Sequence, residues 1–155
     1  MSDCRRTLVL GVGNRDRGDD GVGPAVTDRL KTMIPEGATV RDAPADASAL
    51  MAAWEGASSV ILVDACRSGA PAGAIRRIDA ASQPVPADPP GCSTHGFGLA
   101  AAINLARAMG TLPERVVVYA VEAETLDHGA PLSPAVEAAV AEVVSRVADE
   151  ITAST

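Results

Sequence analysis

The stretch Val60-Ile61-Leu62-Val63-Asp64 decides the fold class of this 155-residue chain. Four consecutive apolar residues predict a strand that is buried on both faces, as in the centre of a parallel sheet. The run ends at a carboxylate, Asp64. Ligands bind outside the carboxyl ends of the strands in open α/β sheets, so Asp64 is a candidate functional residue. The alternative interpretation is structural, with Asp64 capping the turn at Cys66-Arg67-Ser68.

Strand-like and helix-like segments alternate on both sides of this run. Further strands are predicted over residues 7–10, 38–41, 73–78 and 115–121. Helices are predicted over residues 22–30, 46–55, 93–109 and 134–151. Pro24 suits the first turn of the first helix, and Gly56 suits the end of the second. The alternation predicts a single α/β domain over residues 1–155, in which helices cover both faces of a twisted, mostly parallel sheet of about five strands.

The composition excludes several classes of function. A net charge of −7 and a single lysine, Lys31, argue against a nucleic-acid partner and against an anionic membrane surface. No secretory signal is visible, and no apolar stretch approaches the roughly 20 residues of a membrane helix. Cys4, Cys66 and Cys92 are an odd number without CxxC spacing, so no disulfide framework is expected. We therefore expect a cytoplasmic protein.

The turn after the first predicted strand reads GVGNRDRGDDGVG over residues 11–23. It is not a dinucleotide fingerprint, because Asp16 stands where GxGxxG needs its third glycine. Asp19 and Asp20 would also repel a phosphate at the start of the helix. The structural interpretation of these two acids is that they complement the helix dipole. The flanking glycines, however, leave room for an ion or another chain to approach them.

His95 is one of only two histidines. It falls in the first turn of the helix that Ser93 is expected to cap, and Gly96 leaves its ring accessible. A helix N-terminus lowers the pKa of a histidine and favours the neutral form that binds metals. A surface or capping role for His95 is the alternative. His128 is interpreted as a simple loop residue.

Asp20, Asp64 and His95 each follow a different predicted strand, so their side chains should meet at the carboxyl edge of the sheet. Two carboxylates and one imidazole form a suitable three-ligand set for a divalent ion. Cys92 and His95 offer a competing C-x-x-H pair, which lacks a second pair for zinc and a third group for nucleophilic catalysis. Ser93 lacks the G-x-S-x-G context of a serine hydrolase.

An ordered set of motifs resembles the [NiFe]-hydrogenase maturation endopeptidases over nearly the whole chain. The set comprises GVGN at 11–14, DDGVG at 19–23, the strand ending in Asp64, HGFGLA at 95–100 and LSPAVE at 132–137. The resemblance implies an α/β fold with a twisted sheet between helices. It also implies cleavage of a short C-terminal extension from the hydrogenase large-subunit precursor after nickel insertion.

The resemblance further implies which residues form the site. The metal-contacting carboxylates and histidine of the family fall on Asp20, Asp64 and His95. The first position can be glutamate in relatives, so Asp20 is one methylene shorter and Asp19 is a second candidate. The nickel is expected to be carried by the precursor, and other divalent ions can occupy the site.

Two further hypotheses accompany the endopeptidase. One is a non-catalytic, metal-sensing checkpoint that binds the hydrogenase precursor, and the other is a nucleotide-binding α/β module. The GVGN strand end is also similar to peptidyl-tRNA hydrolase. That family has a histidine and an asparagine in the region that follows, and this chain has neither there.

Overall fold

The computed structural model describes residues 6–33, 36–44, 46–85 and 98–153. The strands within these ranges are β1 (Thr7–Val12), β2 (Ala38–Ala43), β3 (Ser59–Cys66), β4 (Ile75–Asp79) and β5 (Arg115–Glu122). The α-helices are α1 (Val22–Met33), α2 (Ala47–Ala53), α3 (Gly98–Met109) and α4 (Pro134–Ala153). A short 3-10 helix, Gly18–Gly21, precedes α1 directly.

The strands form one sheet in the order β2-β1-β3-β5-β4. β2, β1, β3 and β5 run parallel to one another, and β4 runs antiparallel to β5. β3 lies in the centre, as its apolar run predicts. The chain passes from β1 to β2 on one side and then to β3 on the other, so the direction of winding reverses between β1 and β3. Open α/β sheets bind ligands in the crevice at such a switch point.

Alternate residues of the strands build two separate cores. On one face, α1 and α4 cover residues such as Val9, Ile61, Val117 and Tyr119. On the other face, α2 and α3 cover residues such as Leu10, Leu62 and Val118. The predicted three-layer α/β fold is confirmed.

Local differences from the sequence-based boundaries are small. β4 begins at Ile75 rather than residue 73, at the edge of the sheet. α2 is shorter than expected and is capped by Asp46, which accepts hydrogen bonds from two main-chain N–H groups. The predicted helix start at Ser93 lies outside the described residues. No helix among the residues that the structure describes is both long and apolar enough to cross a membrane.

A half-buried polar cluster joins β4 and β5 to α4. The Tyr119 hydroxyl donates a hydrogen bond to Glu150 Oε2, and Arg77 Nη2 and Arg115 Nη2 donate to Glu150 Oε1 at 2.7 and 2.9 Å. Burial, together with the Glu150 carboxylate, raises the pKa of Tyr119 to about 12. Burial also acts to raise the pKa of Glu150, but the hydrogen bonds from Arg77 and Tyr119 outweigh it and hold that pKa below its usual value.

The contact between Tyr119 and Glu150 predicts that the protein loses stability at alkaline pH. The pKa of Tyr119 is higher in the folded protein than the ordinary value of about 10. Its contribution to stability is therefore complete below about pH 10 and is lost as the pH rises towards about 12. We expect the unfolding free energy of Tyr119→Phe to fall less steeply across this window than that of the wild type. Urea titrations at several pH values measure both slopes, and equal slopes would contradict the prediction.

Candidate functional site

Asp20 is held at the carboxyl end of β1 by the short 3-10 helix. Its side chain is fully buried, and the main-chain N–H of Asn14 donates to Asp20 Oδ2 at 2.9 Å. Gly13 lies against it with a φ of +130°, and a Cβ there would stand 2.2 Å from the Asp20 carbonyl oxygen. Glycine is therefore required at position 13 because the Asp20 main chain lies too close for a side chain, and not because a phosphate binds there.

Asp64 is 6% exposed and lies near the carboxyl end of β3, which continues two residues further to Cys66 instead of ending at Asp64 as the sequence analysis expects. The main-chain N–H of Ala65 donates to Asp64 Oδ1 at 2.8 Å. Strand alternation puts Asp64 on the sheet face that carries Val60 and Leu62, which α2 and α3 cover. The turn at Ser68 is bound by the carboxylate of Glu122, as described below.

The first turn of α1 connects Asp20 with the end of β3. A Cβ on Gly23 would stand 2.6 Å from Val12 N and 2.5 Å from the Val63 carbonyl oxygen, so the helix lies directly on both strands. The 3-10 helix that carries Asp20 also contacts β3. Asp20, in the 3-10 helix that follows β1, and Asp64, on β3, thus lie at the same edge of the sheet, beside the switch point between β1 and β3.

His95 lies outside the described residues, so its convergence with the two aspartates stays a prediction. α3 begins three residues later, at Gly98, and covers the sheet face that carries Asp64. In the described part of the chain, no group of three or more His, Cys, Asp and Glu side chains could hold a metal ion. Cys4 and Cys92 also lie outside the described residues.

Asp19 has a different role from its neighbour. It is fully buried, and its carboxylate accepts four hydrogen bonds from the loop between β5 and α4. Ser133 N donates to Oδ1 at 2.7 Å, while Glu124 N, Thr125 N and Ser133 Oγ donate to Oδ2 at 2.7, 3.0 and 2.9 Å. These bonds fix the short 3-10 helix to that loop. Asp19 is therefore a structural residue, and Asp20 is the better candidate for chemistry.

A cleft of about 460 Å³ opens beside Asp20. It is lined by residues of the β1–α1 turn and of the end of β2, namely Gly13, Asn14, Arg15, Asp16, Asp20, Pro24, Asp42, Ala43 and Pro44. A second cleft, of about 490 Å³, lies at the other end of the strands and includes Arg6 and Arg41. The first cleft lies at the carboxyl ends of β1 and β2, on the β2 side of Asp20, and its lining does not include Asp64.

Arg15 fixes one wall of this cleft. Its guanidinium binds both carboxylate oxygens of Asp28 on α1, at 2.5 and 2.9 Å, and Asp42 Oδ2 on β2 at 2.5 Å. The hydrogen bond from Arg15 lowers the pKa of Asp28. Arg15 and Asp28 are about half exposed, so the pair adds little stability and mainly sets the shape of the turn.

Glu122 was missed by the sequence analysis. It ends β5, is 4% exposed, and its Oε1 accepts a hydrogen bond from Ser68 Oγ at 2.5 Å, while Ser68 N donates to its carboxylate at 2.9 Å. The half-buried Cys66 thiol lies 3.8 Å from Glu122 Oε1. The signal was available, because Glu122 closes the apolar strand β5.

The family now follows from comparison with known proteins. Residues 24–150 match the profile of the hydrogenase maturation protease family HycI. The chain belongs to this family. The resemblance inferred from the motifs is thereby confirmed, and the family makes the chain a peptidase, a hydrolase of peptide bonds. A search of curated protein sequences gave no match.

Solved structures of the family share the fold. A hydrogenase 2 maturation peptidase from a Thaumarchaeota archaeon is 30% identical, with 94% of this chain and 97% of that chain covered and a TM-score of 0.69. The hydrogenase maturating endopeptidase HybD from Escherichia coli is 24% identical, with 92% and 89% covered and a TM-score of 0.77. The maturation protease HycI from Thermococcus kodakarensis is 20% identical, with 96% and 93% covered and a TM-score of 0.71.

Proposed function

We propose that this protein is an endopeptidase that removes a short C-terminal extension from the nickel-loaded precursor of a [NiFe]-hydrogenase large subunit, with the cytoplasm as its expected location. Membership of the maturation protease family supports the reaction class. The single observation that carries the choice of site is the burial of two carboxylates beside the switch point, Asp20 in the 3-10 helix after β1 and Asp64 on β3.

Asp20, Asp64 and His95 are proposed to hold a divalent ion between them. The two members that the structure describes, Asp20 and Asp64, suit a divalent ion, because two buried carboxylates at one sheet edge favour a cation. Each carboxylate is oriented by a main-chain N–H through one oxygen, from Asn14 for Asp20 and from Ala65 for Asp64. Fixed ligands of this kind need no rearrangement when the ion arrives.

The proposed ion is the nickel that the precursor carries, so it is part of the substrate rather than a resident cofactor. An ion held by these side chains would polarise the scissile carbonyl or activate a water molecule. The cleft beside Asp20 gives the scissile peptide bond a route to the carboxylate, and the turn fixed by Arg15 keeps that route open.

The non-catalytic checkpoint uses the same residues and the same partner, and differs only in the absence of cleavage. The nucleotide-binding module is opposed by the buried Asp20 carboxylate, which stands directly before the N-terminus of α1, where a phosphate would bind.

The test is to incubate the protein with nickel-loaded and with nickel-free large-subunit precursor and to measure the precursor mass. We expect the mass of the C-terminal extension to be lost from the loaded precursor only. Binding of the loaded precursor without mass loss would favour the checkpoint. Equal cleavage of both precursors would contradict recognition of nickel.

A further inference from the structure

The outer side of β2 carries main-chain groups that point away from the sheet. Thr7 N donates to the Gly37 carbonyl at 2.9 Å, and Gly13 N donates to the Ala43 carbonyl at 3.4 Å. Because N–H and C=O directions alternate along a strand, residues 37, 39, 41 and 43 face β1. The N–H and C=O groups of Ala38, Val40 and Asp42 therefore point outwards.

These outward groups are not used by the sheet. β2 is the edge strand, and among the described residues its only strand partner is β1. The opposite edge, β4, also has an outer side, but two strands, β3 and β5, separate it from β1 and the turn that carries Asp20. Of the two edges, only β2 is directly beside this turn.

The β2 edge is continuous with the cleft beside Asp20. The last outward-facing residue, Asp42, lines that cleft together with Ala43, Pro44 and Asp20. A strand added to β2 would lie two strand spacings from β1, or about 10 Å. A chain leaving such a strand would cross to Asp20 in about three extended residues.

We propose that the C-terminal segment of the hydrogenase precursor binds in extended form along β2, as a sixth strand of the sheet, and that the residues beyond it cross the cleft to Asp20. This inference rests on the proposed function and adds the surface that holds the substrate. Strand addition suits a peptidase substrate because its main-chain bonds accept many sequences and present the chain in extended form.

A second copy of this chain fits the edge less well than a peptide does. β2 has only six residues, its exposed Arg41 and Asp42 are charged, and Pro44 follows it. Short, charged edges that end near proline resist pairing between identical sheets. A flexible peptide can adapt to these side chains and can continue into the cleft, which a rigid sheet edge cannot enter.

The direct test is amide hydrogen exchange by NMR on the Asp20→Asn variant, which is expected to hold the precursor without cleaving it. Adding nickel-loaded precursor should slow exchange at Ala38, Val40 and Asp42. Exchange at Thr39 and Arg41 should change little, because those amides are already bonded to β1. This alternating pattern is specific to an added strand and differs from a general tightening of the protein.

A kinetic test uses proline, which removes one N–H from an edge. Val40→Pro removes an outward N–H from β2 and should raise KM for the precursor about tenfold with kcat nearly unchanged. The matched control is Asp79→Pro, which removes an outward N–H from the other edge strand, β4. Its KM should equal that of the wild type.

The outcomes separate this inference from the proposed function. Cleavage by the wild type without slowed exchange at the three β2 amides would contradict binding of the precursor along β2. It would not contradict the proposed endopeptidase activity. Slowed exchange without cleavage by the wild type would support binding of the precursor along β2 and contradict the proposed endopeptidase activity. Slowed exchange that depends on the concentration of this chain alone would assign the edge to a second copy and overturn the inference.

Discussion

Replacing Asp20 with asparagine is expected to reduce the cleavage rate at saturating precursor by about two orders of magnitude or more. Asparagine keeps the size of the side chain and can still accept the hydrogen bond from Asn14 N. It removes the anionic oxygen that is proposed to bind the ion. If the ion polarises the scissile bond, losing the Asp20 ligand slows cleavage of the bound precursor. Adding more precursor cannot restore that rate.

The control is Asp16→Asn, which removes a charge from the same cleft. Asp16 is exposed and lines the cleft beside Asp20. Its negative charge therefore contributes to the electrostatic field of the cleft, but Asp16 is not a proposed ligand of the ion. Rates measured against precursor concentration should show a normal plateau for Asp16→Asn. For Asp20→Asn, an unchanged plateau with a shifted midpoint would mean that the ion serves only in recognition.

Replacing Asp19 with alanine is expected to lower the unfolding free energy by about 3 to 5 kcal/mol. The change leaves four donors from Glu124, Thr125 and Ser133 without their acceptor, and Ser133 is itself buried. Buried donors without a partner cost much more than the net value of the bonds they made. The short 3-10 helix would also separate from the loop between β5 and α4.

A matched comparison is Asp46→Ala. Asp46 also accepts two main-chain hydrogen bonds, but it is an exposed cap of α2, and its loss should cost about 1 kcal/mol. Urea unfolding measures both variants under the same conditions. Similar losses for Asp19→Ala and Asp46→Ala would refute the structural role assigned to Asp19.

The sequence was sufficient for the fold because its signals are local. The run from Val60 to Val63 is apolar on both faces, which favours a strand covered on both sides, and the structure has this strand in the centre of the sheet. The edge position of β4 could also be inferred, because Arg76 and Arg77 interrupt its apolar pattern. Its antiparallel direction depends on the path of the chain through residues 67–74, which no local pattern specifies.

The site could be predicted only in part because its contacts are not local. Asp19 and Asp20 are adjacent and chemically identical in the sequence. They differ in their partners, and those of Asp19 are 105 to 114 residues away. The ion pair of Arg15 with Asp42 likewise depends on the register of β1 with β2. Glu122 could have been found by the reasoning applied to Asp64, and His95 stays a prediction.

The two cores of the sheet each contain one natural chromophore. Trp54, the only tryptophan, is buried between α2, α3 and the sheet, whereas Tyr119, the only tyrosine, is buried on the α1 and α4 side. Tryptophan fluorescence and tyrosine absorbance therefore monitor opposite layers of the same molecule without any label. Coincident melting curves from the two signals would establish that the layers unfold as one cooperative unit, and separate curves would reveal which layer opens first.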